Sequence, residues 1–216
     1  MSAREPLSPA RIIDAAVRVA DANDLGGVSM RSVGAELGVE AMSLYHHVAN
    51  KRALLDGLSA WVFDQMGLPP GDQPWREAMS AHARSMRRVL VAHPWALTLM
   101  NSQKNPAMGE LRQYDAVLGV LRASGFATRL AAHAVSVIDA YVYGFALTER
   151  NLPVEPGADV TDLAREIAPP ADEFPHLAEL VEHMMTADGY VYADEFEYGL
   201  EVLLDGMEAR LRATAE

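Results

Sequence analysis

The sequence predicts an all-α protein, with a small N-terminal helix-turn-helix head joined to a larger helical bundle. Three observations carry this. Apolar residues recur at helical three- and four-residue spacing over most of the chain. Strand-like alternation is scarce, and a β-like run such as Val135-Ser136-Val137-Ile138 sits inside a longer helical period. Start and stop signals fall between the periodic stretches, from Ser8-Pro9 and Asn50 to Gly38 and Pro69-Pro70-Gly71. The 216 residues suffice for one large or two small domains with their own core.

Ser8 reads as an N-cap and Pro9 as the first helical residue of a helix carrying Ile12, Ile13, Ala16, Val19 and Ala20. A second helix begins after Ser29 and runs through Val33 and Leu37 to Gly38. A third spans roughly Ala41 to His47. Asn50 caps a fourth, with Leu54, Leu55, Leu58, Val62 and Met66, which Pro69-Pro70-Gly71 ends. A fifth, from Trp75 to Ala92, shows Met79, Ala83, Met86 and Leu90 on one face. Pro94 precedes a short helix from Trp95 to Met100, and Gly125 separates Glu110–Ser124 from Thr128–Asn151. Residues 153–175 hold Pro153, Pro156, Pro169, Pro170 and Pro175 and read as a long loop with a helical piece around Leu163. Helices at about Leu177–Ala187 and Ala193–Arg212 close the chain. The expected division is 8–67 for the head with its connecting helix and 68–216 for the bundle.

The formal charge of −12 is unevenly spread: residues 1–52 sum to zero, 53–150 to +1 and 151–216 to −13. The N-terminal part is therefore free to present a local basic face despite the acidic total; the acidic end reads as a solvated surface. No cysteine is present, which excludes thiol nucleophiles, disulfides and thiolate metal sites. The opening Met1-Ser2-Ala3-Arg4-Glu5-Pro6 lacks the apolar run of a signal peptide. The stretch Ala131–Leu147 contains His133 and Asp139 and is short for a bilayer span. A soluble, cytoplasmic protein with no membrane partner is expected.

The informative segment is Met30 to Lys51, two short helices broken by Leu37-Gly38-Val39, the size and spacing of a helix-turn-helix. Such turns also occur in all-α proteins that bind no nucleic acid. In a DNA-binding arrangement the second helix enters the major groove with its early residues toward base edges. Those residues are Ala41, Met42, Ser43 and His46. Arg31, Tyr45, His47 and Lys51 flank them, placed to hydrogen-bond phosphates.

Leu44-Tyr45-His46-His47-Val48 followed by Asn50-Lys51-Arg52-Ala53-Leu54-Leu55-Asp56 resembles the DNA-binding domain of the tetracycline repressor family. Ala10-Arg11-Ile12-Ile13-Asp14-Ala15-Ala16 and Leu25-Gly26-Gly27-Val28-Ser29-Met30-Arg31 are similar too. Ser85-Met86-Arg87-Arg88, Leu121 to Phe126, Ser136 to Gly144 and Tyr198-Gly199-Leu200-Glu201 more weakly resemble the family's ligand-binding domain. The resemblance implies a homodimeric repressor on a palindromic double-stranded DNA operator, released by a small-molecule effector. It matches Arg31, Tyr45, His47 and Lys51 to DNA-contacting positions. Ala41 and Met42 depart from the polar amide and proline of the tetracycline repressor; both are suited to a thymine methyl and neither to a bidentate base contact.

For the effector, the candidates are Trp75, His82, Met86, Trp95, Met100, Val117 and Tyr141. Methionine and aromatic stripes of this kind also make plain core; methionine suits an adaptable pocket. The resemblance places a metal-ligating histidine of the tetracycline repressor on the short central helix, where this chain has Trp95-Ala96-Leu97-Thr98-Leu99-Met100. A polar amide is replaced near Val117, and His82 falls near another drug-contacting position. An apolar or aromatic effector, bound without metal or cofactor, is therefore expected. Val135–Leu147 and a final helix with Phe196, Leu200, Leu203, Leu204, Met207 and Leu211 are apolar broadly enough to meet a second subunit.

Enzyme readings are weak. There is no phosphate-binding Gly-rich loop, Gly-x-Ser-x-Gly elbow or His-Glu-x-x-His. Glu179, Glu182 and His183 lack matching ligands on other helices. The other readings left open are an activator, a regulator without small-molecule input, and a helical ligand carrier or enzyme.

Overall fold

The computed structural model describes residues 6–102, 107–154, 159, 161–166, 168–186 and 191–214. The long elements among them are all helices. The head comprises α1 (Pro9–Asn23), α2 (Met30–Leu37), α3 (Ala41–Leu44) and α4 (Lys51–Met66). The body comprises α5 (Trp75–Ala92), α6 (Trp95–Ser102), α7 (Met108–Ala123), α8 (Thr128–Asn151), α9 (Thr161–Glu166), α10 (Pro175–Thr186) and α11 (Glu195–Ala213).

Local chemistry sets the ends of the head helices. Ser8 Oγ accepts the Arg11 N–H at 3.3 Å, and Pro9 opens α1 without leaving a donor unmatched. Ser29 and Ser32 cap α2 reciprocally: Ser29 Oγ accepts the Ser32 N–H at 3.0 Å, and Ser32 Oγ accepts the Ser29 N–H at 2.9 Å. Gly38 ends α2 in the left-handed region at φ 65°. Asn50 Oδ1 accepts the Ala53 N–H at 2.9 Å and starts α4. Ile12, Ala16, Val33, Leu44, Leu54 and Leu58 then bury completely and form the core of the head.

The body is organised around α5 and α8, which pack on each other and on α7 and α11. Met79, Met86, Leu90, Leu121, Phe126, Ile138 and Phe196 fill its interior. By length and composition α8 is apolar enough to cross a membrane; one side of it, with Ala131, Ala134, Val135, Ile138 and Val142, is buried in this core, while Val137 and Leu147 are exposed. From the head, α4 packs on α5, α6 and α7, so it belongs to both regions.

The structure shortens the third helix. Regular α-helix stops at Leu44, and the Tyr45 and His47 N–H groups then bond three residues back, to Met42 O at 3.3 Å and Leu44 O at 2.9 Å. This tighter winding brings Val48, 7% exposed, down into the head core. The piece expected around Leu163 is α9. The next helix starts earlier than expected, at Pro175, and a 3₁₀ turn at Tyr192–Asp194 leads into α11. The sequence start through Glu5, Pro156 of the long loop and the helix end at Ala187 lie outside the described residues.

Candidate functional site

The geometry of the head depends on one close approach. A Cβ on Gly34 would lie 2.9 Å from the Val39 carbonyl oxygen and 3.3 Å from the Ala41 backbone, so glycine is what lets α3 pass this near α2. Leu44 and Val48 point inward, which turns the other side of α3 to solvent. Met42 is 72% exposed and Tyr45 45%. Arg31, His46, His47 and Lys51 are exposed beside them. None of these six side chains has a hydrogen bond or ion pair with the other described residues. The result is an apolar tip rimmed by cationic and aromatic hydrogen-bonding groups, the chemistry of a helix laid between phosphate rows. Ser43 and Ala41 are half-buried, and Ala41 packs against the core. Of the expected base-facing set, Met42 and His46 stand clear, while Ala41 is shared with the packing of α2.

In the body, the effector candidates divide. His82 is 5% exposed on α5, and its Nδ1 has no partner. Burial lowers its pKa to about 4, so the ring is neutral at pH 7. Met86 on α5 and Val117 on α7 are buried. Trp75, half-buried, meets the Phe126 ring edge-on at 5.0 Å, and Met100 is half-buried on α6.

Trp95 and Tyr141 each have their polar atom bonded within the fold. Trp95 Nε1 donates to Asp21 of α1 at 2.6 Å, which turns the indole toward the head. The Tyr141 hydroxyl shares its one proton between Phe196 O at 2.9 Å and Glu195 O at 3.2 Å, tying α8 to the start of α11. His93 also turns to Asp21, and His133 is exposed on α8. Glu179, Glu182 and His183 are exposed on α10.

Sequence reasoning assigned no role to several body groups. Gln113, 6% exposed, donates to Gly67 O at 3.1 Å. Asp139 and Tyr143 stand one turn apart on α8; burial, then the Glu110 charge, raises the Asp139 carboxyl to about 6, and burial pushes the Tyr143 phenol upward. Two polar groups at i, i+4 in an apolar helix were the available signal. Arg87 and Glu149, the latter 4% exposed, pair through contacts of 2.7 and 3.1 Å, and Arg87 lies over the Phe145 and Phe196 rings at 5.0 and 4.7 Å. No local pattern announces a pair 62 residues apart.

Two surface cavities are lined by other residues. One, of about 280 Å³, lies between α8 and α11 among Leu130, His133, Val137, Val202, Met207 and Arg210. The second, of about 400 Å³, is bordered by Arg84, Arg87, Arg88, Val91, Phe196 and Glu197.

Comparison with known proteins agrees with this arrangement. Residues 12–58 match the family described as bacterial regulatory proteins, tetR family, and residues 68–211 match the tetracyclin repressor-like C-terminal domain. The chain is 33% identical to the HTH-type transcriptional repressor DrrR1 of Streptomyces coeruleorubidus, over 92% of this chain and 76% of that protein. It is 31% identical to the class D tetracycline repressor protein of Escherichia coli, over 94% and 89%. In structure it is similar to ActR of Streptomyces coelicolor in complex with actinorhodin, with a TM-score of 0.74, 28% identity and coverage of 96% of this chain and 99% of that one. With both halves matched, the chain belongs to the tetR family of bacterial transcriptional regulators, a DNA-binding helix-turn-helix head carried on a tetracycline-repressor-like body.

Proposed function

We propose that this protein is a homodimeric cytoplasmic repressor that holds a palindromic operator and releases it when a largely apolar or aromatic small molecule enters the body. The observation that carries the DNA half is the outward face of α3. Met42 and Tyr45 are large, apolar and exposed, and they stand among Arg31, His46, His47 and Lys51, all without partners among the described residues. Phosphates supply the partners for the rim, and a thymine methyl suits Met42.

The apolar groove between α8 and α11 supports the dimer. Val137 and Val202 are 42% and 53% exposed there, and a second copy of the same face would cover them. For the effector, Trp75, His82, Met86, Met100 and Val117 are the proposed contacts. His82 offers one neutral, buried and unpartnered ring nitrogen, which suits a ligand with a single polar handle. A magnesium–tetracycline chelate would leave its polar edge and metal unmatched there, at a cost of several kcal/mol.

Selection of bound DNA from a random pool tests the first part. It should return an inverted repeat with half-site centres ~34–36 Å apart; direct repeats, or one half-site held by a monomer, would overturn the dimer. Calorimetry with magnesium–tetracycline should show no tight binding. Tight, magnesium-dependent binding would defeat the effector assignment.

A further inference from the structure

Besides the packing of α4 on the body, the head meets it at a compact polar joint. Asp21 lies near the end of α1, Trp61 on α4 packs beside His93 and Trp95, and the body supplies His93, Pro94 and Trp95 at the turn from α5 into α6. One oxygen, Asp21 Oδ1, accepts from Trp95 Nε1 at 2.6 Å and lies 2.7 Å from His93 Nδ1. Trp95 is 1% exposed, and an indole has a single donor, so its partner is obligatory. The Trp61 ring closes over the pair, 4.9 Å from the His93 ring and edge-on to it, and 6.4 Å from that of Trp95. Arg150, at the end of α8, reaches the same place and donates to Pro94 O at 3.3 Å and to Asp24 at 3.4 Å. The principal packing of α1 is on α2 and α4, inside the head. Its acidic end is thus a point where groups from α6 and α8 act directly on the head.

We propose that Asp21 is the positioning residue that sets the angle of the head on the body. Its carboxylate holds α1 to the first turn of α6, and α1 in turn carries α2, on which α3 packs. Exposed ion pairs contribute little to such a link, because water competes for them. The Asp21–Trp95 contact differs because its donor is buried and has no second partner to turn to. This inference deepens the proposed function, since it rests on the reading that the head meets DNA and the body receives the effector, but the geometry it concerns can be measured without either.

The absence of cysteine makes the test direct. Ala35→Cys on α2 and Ala123→Cys at the end of α7, both at exposed positions, allow two spin labels in one chain. Diluted with unlabelled protein, the pair reports the head-to-body distance within one protomer by pulsed dipolar spectroscopy. The parent should give one narrow population. Asp21→Ala and Trp95→Phe should each widen or split it about two-fold, and the double variant should add nothing further, since both remove the same hydrogen bond. Asp21→Asn keeps an acceptor for the indole and should restore the narrow population. Arg18→Gln, which breaks the Arg18–Glu36 pair inside the head, should leave it unchanged. Trp95→Phe is mild enough to fold even where Asp21→Ala is not.

Parent-like distances in Asp21→Ala and Trp95→Phe would overturn the proposal, as would a widening in Asp21→Asn equal to that in Asp21→Ala. If the widening is seen but the parent selects no operator, the joint stands and the DNA reading falls. If operator affinity drops in the variants while distance and width stay fixed, the DNA reading stands and the joint falls.

Discussion

Two methionines show how differently the head and the body work. Met42 on α3 is 72% exposed, and Met86 on α5 is 1% exposed. In the head, the proposed functional side chains are those left outside once the core has closed beneath them. In the body, the proposed functional side chains lie among the core residues themselves, so each serves packing and recognition at once. The contrast extends to charge. Arg31 and Lys51 sit in solvent, whereas His82 is buried with an unpartnered nitrogen and is held neutral by burial. A head of this kind can change its sequence preference at little cost in stability. A body of this kind cannot change its ligand without repacking.

The largest effect expected from breaking this separation is on the head core. Leu44 is 0% exposed, and Leu44→Ala should cost roughly 2–5 kcal/mol. Thermal unfolding should then show the head melting first, with operator binding abolished and most of the helical circular dichroism retained. A single transition for the whole chain, shifted as one, would mean that head and body share one cooperative core.

Acidity sharpens the body side. A histidine whose folded pKa is near 4 instead of 6.5 lets the unfolded chain take the proton first. The stability it permits is complete above pH 6.5 and lost as pH falls toward 4, by about 3 kcal/mol. Asp139 acts in the opposite sense. Its carboxyl titrates near 6 in the fold and 3.8 outside it, so stability falls as pH rises through that window, by roughly 3 kcal/mol. Denaturant titrations should therefore find His82→Gln more stable than the parent at pH 5 but less distinct at pH 8. Asp139→Asn should be more stable at pH 8 and less distinct at pH 4. Parallel pH profiles for parent and variants would remove both groups from the low-dielectric interior.

The smallest effect on stability belongs to the head surface. Lys51→Ala should leave unfolding nearly unchanged and weaken operator binding evenly across operator variants. The slope of log affinity against log salt should fall by about 0.9 for each phosphate that the lysine no longer neutralises. An altered sequence preference at constant slope would make Lys51 a reader of bases.

The head was legible because its determinants are close together in the chain. Ser29 and Ser32 cap each other within one turn, Gly38 takes φ 65° directly after α2, and Asn50 caps the helix that follows it. Each is a hydrogen bond or dihedral preference acting over a few residues. The effector candidates were less legible because an apolar helical stripe looks the same whether it encloses a cavity or fills one. Trp95 and Tyr141 illustrate this: both sit on apolar stretches, and only their partners, Asp21 and the Phe196 carbonyl, show what they are tied to.

The all-α class, the starts of most helices and the outward face of the helix-turn-helix follow from the chain alone, because caps, breakers and periodicity are local free-energy preferences. Packing of the whole fold was needed to end regular helix in α3 at Leu44, to pair Arg87 with a buried Glu149, and to bring Asp21 the indole of Trp95 from 74 residues away. Those pairings depend on helices distant in the chain being brought together by packing. A buried donor or charge takes the nearest group able to satisfy it, and which group is nearest is known only once the core has closed.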